Sequence, residues 1–159
     1  MALDNDGRTS IKLLSFKVPG LSDLALALAL QEVLEVTELG SVTEVPFAPH
    51  FLMGLSEWRG SVVTVVDLAD TLCKSTPPRP ASPSGSRHLV VRVIANGQAD
   101  AIAWSILPGA SIIAAPSQAP QANISVSLLP EGVYTAVTLS GAPHVLLNLA
   151  GIAGYVMKG

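Results

Sequence analysis

The stretch LALALALQEVLEV, residues 24–36, decides the fold of this chain because it reads in two ways. Ser22 and Asp23 just before it are helix-capping residue types, and Ala, Leu, Gln and Glu are good helix formers. Yet Leu26, Leu28 and Leu30 alternate with Ala27 and Ala29, which is the period of a strand. Local propensity taken alone favours the helix. A strand here would have a leucine face to bury and an alanine face on which a neighbour packs closely.

The surroundings read as strands. After a polar tail over 1–10, residues 11–18 (IKLLSFKV) read as a strand ended by Pro19-Gly20. Residues 41–46 are a short extended piece, and Pro46, Pro49 and Gly54 punctuate the stretch up to residue 55. Arg59-Gly60 reads as a turn, and 61–68 (SVVTVVDL) as a β-branched strand. In the second half, 88–95 and 99–106 flank Asn96-Gly97, a strong hairpin signal. A short strand over 111–115, a loop-like stretch over 115–127 and a last hairpin around Ser140-Gly141 complete the pattern. Short strands with turns at this spacing predict a sandwich or a barrel.

Between the halves lies KSTPPRPASPSGS, residues 74–86, a Pro/Ser linker that cannot form a central strand and is expected to be mobile surface. A weak repeat spans it. Gly60, Asp67 and Leu68 match Gly141, Asn148 and Leu149, each 81 positions on, with an apolar run between in both copies. The match points to two related sub-barrels.

Composition narrows the function. Apolar residues make up 49% of the chain and charged residues only 13%, about half the usual charged share. This excludes disorder and predicts large buried or partner-facing apolar surfaces. The net charge is −3 with no Lys/Arg cluster, so nucleic-acid binding and anionic-membrane anchoring have no electrostatic basis. The longest obvious apolar run, Leu24 to Leu30, is far short of the roughly 20 residues a spanning helix needs. Asp4, Asp6 and Arg8 with no apolar stretch after them argue against a secretory leader, so a cytoplasmic protein is expected. The lone Cys73 rules out an internal disulfide and reads as a small buried hydrophobe.

No catalytic constellation emerges. His50, His88 and His144 are scattered, lack metal-ligand spacing and read as loop or surface histidines; no metal or cofactor is expected. Ser84-Gly85-Ser86 has no nucleophile-elbow frame, and no phosphate-binding glycine loop is present. Glu32, Glu35 and Glu38 leave paired-carboxylate hydrolysis open on spacing, but aromatics at 4% do not line a sugar cleft. A small hydrolase is the remote alternative; the chain is not expected to be an enzyme.

The stretch from Val42 to Leu72, VTEVPFAPHFLMGLSEWRGSVVTVVDLADTL, resembles the central signature of the CheW family. Val45, Pro46, Pro49, Gly54, Arg59, Gly60, Val65, Val66, Asp67 and Leu68 fill matching places, and Val33, Glu35 and Val36 fill the family's V-x-E-[IV] element. The hairpin over 88–106 and the terminal hairpin also find counterparts. Departures are Glu57-Trp58 before Arg59-Gly60, Thr64 where the family usually has Pro, Trp104 where an acidic residue is common, and Asn148 for Asp.

The resemblance implies an all-β fold of two SH3-like five-stranded β-barrels packed on a shared core. The first barrel is then expected mainly over 11–73 and the second mainly over 87–143, with a closing strand at 144–150. It also overrules the helix for residues 24–36. In function it implies a non-catalytic adaptor that couples a chemoreceptor's cytoplasmic tip to a CheA-type histidine kinase at receptor arrays, without entering the membrane. The alternative within the family is a module that binds a kinase or motility regulator but no receptor. Arg59, Glu35, Trp58 and Val36 are the candidate partner-binding residues, and Gly60, Asp67 and Gly54 the structural turn residues. Arg59 has a competing role in an internal pair with Asp67, and Trp58 is either core filling or an exposed anchor.

Overall fold

The alternating leucines and alanines from Ala25 to Ala29 lie in a strand, shorter than the expected 24–30 because Leu30 opens a 3-10 turn. The computed structural model describes residues 2–3, 9–72, 86–116, 134–139 and 141–158. In chain order these form β1 (Ala2–Leu3), β2 (Thr9–Phe16), β3 (Ala25–Ala29), a 3-10 turn (Leu30–Glu32), β4 (Val33–Glu38), β5 (Leu52–Trp58), β6 (Ser61–Val66) and α1 (Leu68–Leu72). There follow β7 (Arg87–Ala95), β8 (Gln98–Ser105), β9 (Ser111–Pro116), β10 (Tyr134–Leu139), β11 (Ala142–Leu147) and α2 (Leu149–Lys158).

Both faces of β3 are buried, by different neighbours. Leu26 and Leu28 enter the main core, while Ala27 enters a smaller cluster with Leu13, Ala115, Val137 and Leu139. The other sheet repeats this division: Leu89, Val91, Ile102 and Trp104 face the main core, whereas Val90, Ala103 and Val63 form a third cluster. The protein therefore has two barrel interiors and one core shared between the barrels. Strands buried on both faces explain why the chain carries so few charges.

One sheet has the order β9-β2-β3-β11-β10, with the two-residue β1 also on β2, and the other the order β4-β7-β8-β6-β5. This corrects the expected division into a barrel over 11–73 and another over 87–143. Each half of the chain, β2 to α1 and β7 to α2, gives its first hairpin to one sheet and its remaining three strands to the other. The joins are antiparallel β2·β9 and β4·β7 and parallel β3·β11 and β6·β8. Parallel neighbours cannot be joined by a tight turn, so sheet completion comes from the distant half. The two sheets are otherwise alike: Thr64 beside Ile102 in one ladder matches Val145 beside Leu26 in the other.

The 81-residue repeat is a hairpin turn, a strand and a helix cap. Gly60 and Gly141 have φ of 77° and 78°, the left-handed conformation a tight hairpin needs. Asp67 Oδ1 accepts the backbone N–H of Asp70 at 3.1 Å, and Asn148 Oδ1 that of Gly151 at 3.3 Å. Asp67 is thus the N-cap of α1 rather than a turn-fixing residue, and Asn148 caps α2 in the same way. The expected closing strand at 144–150 ends at Leu147, and a helix follows. Its signal was the spacing of Leu149, Ile152, Ala153 and Val156, all of which face the main core.

Two histidines expected on loops or the surface are buried instead. His88 is 5% exposed and His144 7% exposed. Each places Nδ1 on the carbonyl two residues back, Ser86 at 3.2 Å and Ala142 at 3.0 Å. A carbonyl only accepts, so Nδ1 carries the proton. Nε2 then accepts from a serine hydroxyl, Ser105 at 3.2 Å for His88 and Ser15 at 3.5 Å for His144. His50 is exposed as expected, with Nδ1 2.7 Å from Asp70. The indole N–H of fully buried Trp104 has no hydrogen-bond partner among the described residues; its ring lies 6.1 Å from that of Phe16. Cys73 and residues 74–85 of the linker lie outside the described residues.

Candidate functional site: a clasp across the barrel seam

β4 and β5 are the two outer strands of the order β4-β7-β8-β6-β5. Closing that sheet into a barrel requires links between them other than a ladder. The segment just after β4 supplies two: Thr43 and Leu55 exchange backbone hydrogen bonds at 2.8 and 2.9 Å, and the Ser56 hydroxyl donates to the Ser41 carbonyl at 3.2 Å. A further link is a side-chain clasp. Glu35 on β4 accepts the indole N–H of Trp58, the last residue of β5, at 2.6 Å, and the Nε–H of Arg59 at 3.2 Å. The Arg59 guanidinium carbon sits 5.3 Å from the centre of the Trp58 ring, a cation–π contact.

Local sequence sets this up. Arg59 and Gly60 form the two-residue turn between paired Trp58 and Ser61, with φ of 50° and 77°. Positive φ at both positions marks the hairpin turn whose twist suits the flanking strands. For a non-glycine residue it costs about 1 kcal/mol or more. Arg59 therefore holds a strained backbone at the tip of a hairpin, with its side chain 68% exposed. The Trp58 and Arg59 hydrogen bonds hold the Glu35 carboxyl below its ordinary value, Trp58 being the larger cause.

Three of the four candidate partner-binding residues, Glu35, Trp58 and Arg59, thus come together. Val36 does not join them. It is opposite Leu89 and packs against the main core, because successive strand residues point to opposite faces. Trp58 is half-buried and serves two ends at once: its ring covers the third cluster and its N–H faces Glu35. The alternative Arg59–Asp67 pair is not formed. β6 separates the two residues by its whole length, roughly 20 Å.

Of the structural candidates, Gly60 lies in the turn as expected. Gly54 does not: it sits inside β5, where the register shifts. A Cβ there would lie 2.2 Å from the Thr43 carbonyl oxygen, and φ is +148°. Glycine is needed because the segment after β4 crosses directly over it.

The family profile described as CheW-like domain matches residues 12–155. The chain belongs to the CheW-like domain family. The CheW-like domain is a non-catalytic scaffold domain. The fold is similar to the crystal structure of scaffolding protein TtCheW from Thermoanaerobacter tengcongensis, with a TM-score of 0.70 at 18% identity over 96% of this chain and 93% of that one. Protein FrzA of Myxococcus xanthus is 37% identical over 73 residues, 46% of this CheW-like chain and 44% of FrzA. The match thus spans less than half of that relative's length. Among the described residues, no helix is long and apolar enough to cross a membrane, and no group of three or more His, Cys, Asp and Glu is placed to hold a metal ion.

Proposed function

We propose that this CheW-like scaffold couples the cytoplasmic tip of a chemoreceptor to a CheA-type histidine kinase at membrane-bound receptor arrays, with the Glu35–Trp58–Arg59 clasp on the receptor-facing surface. The observation that carries this reading is the presentation of Arg59: an exposed guanidinium at a hairpin tip, fixed in direction by a carboxylate and an indole. Such preorganisation reduces the entropy lost when a partner binds. Val62, in the strand after the turn, is 67% exposed, and Leu55, two positions further along the same ladder on β5, 38%, which supplies apolar surface near the hairpin tip.

The test is binding of the purified chain to a soluble receptor-tip fragment and, separately, to the kinase's regulatory domain. Arg59→Ala is expected to weaken the receptor contact by about 1 to 3 kcal/mol, the range of an interface arginine anchor. Binding of the kinase domain with no measurable receptor affinity would replace this reading with the module that acts without a receptor. Binding to neither would reject both.

A further inference from the structure

The exchange of hairpins between the two halves governs how the chain can pair. Among the described residues, the strand ladders within each half are hairpins only: β2–β3 and β5–β6 in one, β7–β8 and β10–β11 in the other. Every ladder that builds these hairpins into a sheet joins one half to the other. The main core is likewise mixed, with Phe16, Leu26 and Leu28 against Trp104, Ile102 and Val145. Isolated two-stranded hairpins are marginal in water. Neither half is therefore a folding unit by itself, and the molecule is two complementary halves on one chain.

We infer that a second copy of this chain can supply the complementary half, giving a dimer in which β2–α1 of each chain pairs with β7–α2 of the other. The contacts in such a dimer are those of the closed monomer, so only the connection over residues 73–85 discriminates between the two forms. A covalent connection of this length keeps the halves at an effective concentration on the order of millimolar, so the closed monomer prevails at micromolar protein. Shortening the connection removes that advantage, the usual route to exchanged dimers. Glu35, Trp58 and Arg59 all belong to the first half, so each exchanged unit keeps a complete clasp. The dimer would be a bivalent scaffold.

The experiment deletes residues 73–84 and places cysteines at Lys12 and Ala114, which face each other across β2·β9 and come from different halves. Opposed strand positions have Cα atoms about 4.5–5.5 Å apart, within disulfide reach. In the full-length connection, with Cys73→Ser, K12C/A114C should close within one chain and run as a monomer. In the shortened chain at micromolar concentration, the same pair should give a covalent dimer on a non-reducing gel. The deletion without added cysteines should show twice the monomer mass by light scattering and the wild-type circular dichroism. A covalently closed monomer from the shortened chain would overturn the inference. So would loss of the β signal in the cysteine-free deletion, since the halves would then be unable to pair between chains.

Discussion

Trp58 donates its indole N–H to Glu35 at 2.6 Å across the seam between the two outer strands of one barrel, and Arg59 donates to the same carboxylate oxygen at 3.2 Å. One carboxylate therefore both closes the sheet and aims the arginine. The clasp must then titrate. Hydrogen bonds from Trp58 first and Arg59 second lower the Glu35 pKa below its ordinary 4.5. A carboxyl depressed on folding adds stability above the unfolded value, and that stability is lost as pH falls through the folded value. Glu35→Gln should narrow the gap between melting temperatures measured at about pH 6 and about pH 3. An unchanged gap would mean that the clasp adds nothing to the fold.

A second loss on acidification should appear at higher pH, from His88. Burial holds its imidazole below the ordinary 6.5, partly offset by the Ser86 carbonyl. For a histidine depressed on folding, the stability of the neutral form is present above the unfolded value and falls as pH drops through the folded one. The slope of unfolding free energy against pH below about 6.5 should flatten in His88→Gln. A slope equal to that of the wild type would assign the loss to other groups.

Arg59 should couple to Glu35 and not to Asp67. At a separation of roughly 20 Å, Arg59→Ala and Asp67→Ala should be additive in unfolding free energy within about 0.5 kcal/mol. Arg59→Ala with Glu35→Gln should deviate from additivity, by a small amount because the pair is exposed. Arg59→Asn keeps a residue that tolerates the left-handed turn, so its stability should equal or exceed that of Arg59→Ala. Coupling to Asp67 above about 1 kcal/mol would contradict the geometry.

The two glycines of the signature should differ sharply. Among the described residues, apart from its two chain neighbours, no heavy atom lies within 4 Å of where a Cβ on Gly60 would sit, so Gly60→Ala should cost only the turn strain, about 1 kcal/mol. Gly54→Ala meets the Thr43 carbonyl at 2.2 Å and carries backbone strain as well. A loss of about 3 kcal/mol or more is expected in urea unfolding. Equal losses at the two positions would show that the crossing segment yields.

The repeated caps should behave alike. Asp67→Ala and Asn148→Ala should each cost about 1 kcal/mol or more, and Asp67→Asn and Asn148→Asp should cost less than the alanine at the same position because the capping oxygen is kept. A cap swap that costs as much as the alanine would show that the carboxylate of Asp67 has a role beyond the cap.

Most strand positions, though not that of β5 with its interior glycine, the turns at Arg59-Gly60 and Asn96-Gly97, and the repeat across the middle of the chain were legible from sequence. They rest on local causes: alternating side chains, residues that accept positive φ, and polar residues that cap helix ends. Glu35 and Arg59 stood out through likeness to the CheW signature, and Trp58 as a large aromatic that departs from it, but that the three meet was not legible, since spacing alone places Glu35 far from Arg59. What tertiary structure alone decided is non-local. Which half completes which sheet depends on β2·β9, β3·β11, β4·β7 and β6·β8, ladders between strands far apart in the chain, and no local pattern encodes them. The same holds for Val36, withdrawn to the core by its pairing with Leu89, and for the partner of Arg59, which the closing of the barrel changes from Asp67 to Glu35. Local sequence sets where the chain turns and which faces are apolar, but the choice of partner for each face is made by burying all of them at once.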